Sequence, residues 1–159
     1  MSRNRPVGQI VLLLLSLVGA GIAIYLTTVH YAHVPLVCST QGFVDCAAVL
    51  ASSYSVVPGT SIPITIPGLL WCLVSAALAI IALRAVSVPR NILIAQCAWA
   101  LVGLLTALYL VFVEIVRLHT ICAWCTALHV LILIIFLITL VQLQQGTSDE
   151  EMDLKSERG

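Results

Sequence analysis

Charge is what this sequence has least of. Seven basic and seven acidic residues make up 9% of its 159 residues, where a soluble globular domain carries about a quarter. That deficit excludes an ordinary solvated surface. Formal net charge is zero, so the basic face that a nucleic-acid partner requires is missing as well. Asp, Glu, Lys and Arg are absent from four apolar runs, 9–29, 68–86, 92–113 and 121–141, apart from Arg84 near the end of the second. No small-x-small cleavage site follows the first run, and its length exceeds the about 7 to 15 apolar residues of a signal-peptide core. It reads as a retained span.

Apolar length takes the place of charge. The chain is 61% hydrophobic, with a mean hydropathy of +1.13. Each run holds about 20 residues, enough to cross a hydrocarbon layer of about 30 Å at about 1.5 Å per residue. Backbone polar groups in lipid must pair within their own segment, so the runs are helices. The expected fold is an all-α, four-helix transmembrane bundle. Residues 1–8 form a cytoplasmic tail, 9–143 the four-span domain, and 144–159 a tail whose polar, mixed-sign "SDEEMDLKSERG" reads as disordered. Arg3 and Arg5 precede the first run, Arg84 and Arg90 bracket the second turn, and Lys155 and Arg158 close the chain. Positive residues mark the cytoplasmic side. The loop of about 30–67 and the segment around Arg117 to His119 therefore face outward. In the loop, "DCAAVLASS" sets Val44, Ala47, Ala48 and Ala51 at helical spacing, which predicts a short amphipathic helix on the membrane surface, capping the loop. Glu114, Arg117 and His119 read as membrane-edge markers, and Trp71, Trp99 and Trp124 include interface anchors.

Six cysteines fall into two groups. Cys72 and Cys97 lie inside spans and read as small hydrophobes. Cys38 and Cys46 lie in the outward loop, in "CSTQGFVDC", and Cys122 and Cys125 open the fourth run in "CAWC". All four face the side on which disulfides persist in a secretory compartment or a bacterial envelope. Residues i and i+3 of a helix are neighbours, near enough for a disulfide. At a helix start the free amides and the dipole favour a thiolate. A flexible pair in water and a helix-mounted pair at the lipid edge make a two-stage relay. Structural disulfides remain a second reading, and a four-cysteine zinc site a third that the x7 spacing fits poorly. No metal is expected.

A four-span core, a first outward loop with Cys-x7-Cys and a Cys-x-x-Cys opening span four resemble the vitamin K epoxide reductase family over about residues 9 to 141. The DsbB-type oxidases carry the two pairs in the opposite order. The resemblance implies that Cys38 exchanges disulfides with a partner, that Cys46 attacks Cys122, and that Cys125 faces a lipid quinone (ubiquinone, menaquinone or vitamin K). It also implies a positioning serine, Ser52, six residues after Cys46, with Ser53 the weaker candidate. Two positions depart from the vertebrate pattern. Ile64, four before Gly68, stands where an asparagine bonds the quinone, and His129 replaces a tyrosine four after Cys125. These changes tell against vitamin K epoxide chemistry more than against quinone reduction, since polar pocket groups set discrimination. His129 lies one turn from Cys125 and is the candidate quinone-binding group. With no thioredoxin-like domain in these 159 residues, the expected partner is a separate thioredoxin-fold, DsbA-like protein.

The function expected is thiol–disulfide oxidation coupled to a quinone, supporting disulfide formation. The place expected is a prokaryotic plasma membrane with the site on its outer face, or the endoplasmic reticulum membrane in a eukaryote. The alternatives are a vitamin K epoxide or quinone reductase, and a non-catalytic scaffold with structural loop disulfides.

Overall fold

The computed structural model describes residues 5–32, 37–38, 42–85 and 88–157. Helix α1 spans Arg5–Ala32, α2 Cys46–Ala51, α3 Thr65–Arg84, α4 Arg90–Phe112 and α5 Ala123–Glu157. A 3-10 turn, Ser53–Ser55, follows α2, and a π-helical turn, Val113–Leu118, extends α4. Four helices are long and apolar enough to cross a membrane, and no strand occurs among the described residues. The chain is an all-α membrane protein, and four spans return both ends to one side.

Local chemistry sets the boundaries. Pro89 sits at the N-cap of α4, and Pro67 lies in the first turn of α3, where backbone N–H groups have no partner to lose. Asp45 caps α2, its carboxylate accepting the Ala48 N–H at 3.0 Å. The spans then pack through small residues. Ala20, Ala79, Ala100 and Ala107 are buried in a core with Leu12, Trp71, Cys72, Ile132 and Ile135. Without a hydrophobic drive between helices in lipid, close approach of backbones does this work. Gly103 is the tightest case, since a Cβ there would lie 2.4 Å from the Trp71 indole. The indoles of Trp71 and Trp99 donate to each other's backbone carbonyls at 3.0 and 3.2 Å, joining α3 to α4. At the end bearing the termini, the Gln9 amide donates to Gln96 and Gln142, tying α1, α4 and α5 together. Leu14, Leu17, Leu70, Leu105 and Leu108 are more than half exposed, on the surface that lipid covers.

One expectation needs correction. Residues 144–157 continue α5 instead of forming a disordered tail. No proline follows Gly146, and Glu, Met, Leu and Lys there are good helix formers. The helix expected in the loop is present as α2: Ala47, Ala48 and Ala51 lie on its exposed face, while Cys46 and Val49 are buried against the protein. Val49 has more apolar surface to bury than any alanine, so it and Cys46 take the inward face. Trp71 is a core residue and Trp99 packs against that core.

Candidate redox site

The site forms where the loop meets the start of α5. A parallel bridge pairs Val44 with Ile121. The Ile121 N–H donates to the Phe43 carbonyl at 2.8 Å, and the Asp45 N–H to the Ile121 carbonyl at 3.2 Å. Thr120 adds its hydroxyl to the Phe43 carbonyl at 3.0 Å. Gly42, at φ 64°, supplies the left-handed turn leading into this bridge. The bridge sets the first residue of α2 beside the residue preceding α5. Those residues are Cys46 and Cys122. Both have no exposed surface, and they share a buried cluster with Val49 against which Cys38 and Cys125 pack.

Cys38 and Cys46 are joined as a disulfide, while Cys122 and Cys125 are free thiols. A clamp on Val37 positions Cys38. Its N–H donates to the Tyr25 hydroxyl at 3.2 Å, and its carbonyl accepts from the Trp124 indole at 2.9 Å. The Tyr25 and Trp124 rings lie 5.1 Å apart. Residues 39–41 of the spacer, which the sequence reading treats as flexible, lie outside the described residues.

Cys122 stands immediately before α5, where an N-cap residue stands. Its sulfur accepts the Cys125 N–H at 3.3 Å. A hydrogen bond from the Cys125 side chain holds the Cys122 thiol below its usual range, and the backbone N–H groups of Cys125 and Trp124 reinforce it. Burial and the nearby Glu114 carboxyl oppose this without reversing it. In the reduced pair Cys122 is thus the better thiolate.

Sequence reasoning missed Glu114. It lies in the π-helical turn and is 5% exposed, whereas Arg117 and His119 are exposed as membrane-edge residues should be. Its carbonyl accepts the N–H of both His119 and Thr120, and His119 adopts φ 52°, which ends the helix. An oxygen of its carboxyl group accepts the Cys122 N–H at 3.3 Å. The signal was present in the sequence: a lone acid at the end of an apolar span, eight residues before Cys122.

A cavity of about 520 Å³ lies behind the cysteines, between the spans and the segment joining α2 to α3. Its size is within the range of ligand pockets, about 300–1,000 Å³. The lining is mostly apolar and includes Cys125, His129, Glu114, Ser52, Tyr54 and Ile64, but neither Cys38, Cys46 nor Cys122. His129 Nδ1 is buried without a hydrogen-bond partner among the described residues. Ser52 donates its hydroxyl to the Val49 carbonyl at 2.7 Å, closing α2, and Ser53 is exposed outside the cavity. Cys72 is buried on the cavity wall, and Cys97 is half-buried away from it.

The architecture defines a class: a four-span membrane protein with a disulfide and a dithiol packed at one end, beside an apolar cavity. The family model for the vitamin K epoxide reductase family matches residues 10–140, and the chain belongs to that family. It is an integral-membrane oxidoreductase. No curated protein matches the chain.

Proposed function

We propose that this protein takes electrons from a reduced thioredoxin-fold protein and passes them to a lipid quinone, supporting disulfide formation outside the membrane. The observation that carries this reading is the ordering of sulfurs. Cys38 is half-buried at the loop surface, Cys46 and Cys122 are buried together, and Cys125 alone of the four reaches the cavity.

In the proposed cycle, which begins with both pairs oxidised, a thiolate of the reduced partner attacks Cys38 and Cys46 leaves; the partner's second thiol then closes the partner's own disulfide and frees Cys38. Cys46 attacks Cys122 and Cys125 leaves, and Cys38 resolves that linkage by attacking Cys46, which frees Cys122 and leaves the two electrons on the Cys122–Cys125 pair. Each exchange forms one S–S bond and breaks one, which conserves electrons. The cavity suits a quinone ring by its size and apolar lining, and the unpartnered His129 Nδ1 is placed to hydrogen-bond a carbonyl. When bound, a quinone supplies the capacity for two electrons and two protons. Ser52 keeps α2 closed at its end, which holds Cys46 against Cys122. Ile64 brings no polar group to the cavity, which favours a simple quinone over an epoxide.

The basic residues at the opposite end from the cysteines support an outward-facing site in a prokaryotic plasma membrane. The test is purified protein in lipid, given a reduced thioredoxin-fold protein and a short-chain ubiquinone analogue, with quinone absorbance followed. Absorbance should fall with wild type and stay constant with Cys122→Ala. A scaffold would leave it constant in both.

A further inference from the structure

Glu114 is a buried acid for which the relay so far gives no role. One oxygen of its carboxyl meets the Cys122 backbone N–H at 3.3 Å, and its side chain lines the cavity that Cys125 and His129 also line. No cation pairs with it among the described residues. Arg117, on the same turn, is exposed. Besides Cys122, which hydrogen-bonds it, the titratable groups that share its cavity are Cys125 and His129 of α5, His30 at the end of α1, and Tyr54 ahead of α3. Asp45, on the loop side, is engaged in capping α2. A thiolate on Cys122 and a carboxylate on Glu114 would be two buried negative charges near each other, each with hydrogen-bond donors but with no cation paired to either among the described residues. Such pairs share a proton, since like charges at short range in a poorly polarisable interior repel by several kcal/mol, on the order of 4 at 4 Å.

We propose that Glu114 holds one of the two protons of the reduced Cys122–Cys125 pair and delivers it into the cavity when the pair is oxidised. This rests on the quinone-linked reading above. The reduced centre then consists of a Cys122 thiolate, a Cys125 thiol and a Glu114 carboxylic acid. On oxidation the Cys122 and Cys125 sulfurs form one S–S bond, the Cys125 S–H bond breaks, and two electrons leave. Cys125 gives up one proton and Glu114 the second, and a quinone that takes both electrons and both protons becomes the hydroquinone. Glu114 is left as carboxylate and regains its proton when the pair is next reduced.

Two measurements test this on the full chain. The first needs no quinone: infrared difference spectra of wild type, with Cys122–Cys125 cycled by a small dithiol and its disulfide. A protonated-carboxyl C=O band should be present in the reduced state, vanish on oxidation, shift in Glu114→Asp and be missing in Glu114→Gln. The second follows quinol formation from pre-reduced protein and a ubiquinone analogue. Gln keeps the size and an acceptor oxygen for the Cys122 N–H, so exchange with the dithiol should stay within about threefold. Quinol formation should slow about 100-fold, the low end of general-acid contributions, with quinone KM unchanged and partial recovery in Asp. Absence of the carboxyl band change in wild type overturns the proposal. So does Glu114→Gln at wild-type speed, or equal loss in both half-reactions without recovery in Asp, which would make Glu114 structural. If wild type itself forms no quinol, the quinone reading falls, while the infrared band still decides whether Glu114 carries the proton.

Discussion

Side chains differ here in how far their chemistry depends on neighbours. His129 has a buried Nδ1 with no partner among the described residues, facing a mostly apolar cavity. A ligand carbonyl there would supply the missing bond, worth about 0.5–1.5 kcal/mol net. His129→Phe should therefore raise the quinone KM by roughly two- to tenfold, with dithiol exchange at Cys122 unchanged. Steady-state kinetics with a ubiquinone analogue measures it, and an unchanged KM would reduce His129 to a packing residue. Cys122 depends instead on donors from its own helix. Hydrogen bonding from Cys125 lowers its thiol pKa, so iodoacetamide should alkylate it with a midpoint below the usual thiol value of about 8.5. Cys38→Ala/Cys46→Ala protein removes the disulfide, and following the Cys122 peptide by mass spectrometry separates its alkylation from that of Cys72, Cys97 and Cys125; a midpoint at or above the usual value would contradict the geometry. The sign for stability follows. A lowered folded-state value stabilises the fold above the usual thiol range, and that contribution is lost as pH falls through the lowered value.

Between elements, contact is made by what is small. Gly103 leaves room for Trp71, which lies on the cavity wall and bonds α4 through Trp99. Gly103→Ala should cost about 1–3 kcal/mol, as overpacking does, and lower the unfolding temperature in detergent. Gly21→Ala, where an added Cβ meets nothing within 4 Å, is the control and should stay near wild type. Equal melting of the two variants would show that the α3–α4 seam yields. The four spans were legible in the sequence because length and absent charge are enough to specify them. The loop helix was legible from its alanines at 47, 48 and 51, which lie on its exposed face. What its other face meets was not legible, because Ile121 and Cys122 are about 75 residues away in sequence. Glu114 was misplaced for a related reason. An acid at the end of a span reads as an edge marker until the π-helical turn, which no composition announces, folds it inward.

For the whole molecule, one end is a lock and the other a relay. Gln9, Gln96 and Gln142 fasten three spans at the end bearing the termini, while the Val44–Ile121 bridge fastens the loop to the start of α5. The spacing of the cysteines indicated two pairs. The burial of Cys46 with Cys122, and the placing of Cys125 on the cavity, are the observations that support the proposed direction of electron flow between them. That direction is the central claim, and Cys125→Ala tests it. Without Cys125, the Cys122 thiolate has one disulfide beside it and attacks Cys46, releasing Cys38 as the thiolate. A Cys46–Cys122 crosslink should accumulate, survive purification without reductant, and vanish when Cys46 is also replaced. Peptide mapping under non-reducing conditions reads the result. A dominant Cys38–Cys122 peptide, or an inter-pair link appearing only as Cys46–Cys125 in Cys122→Ala, would contradict the order of electron flow.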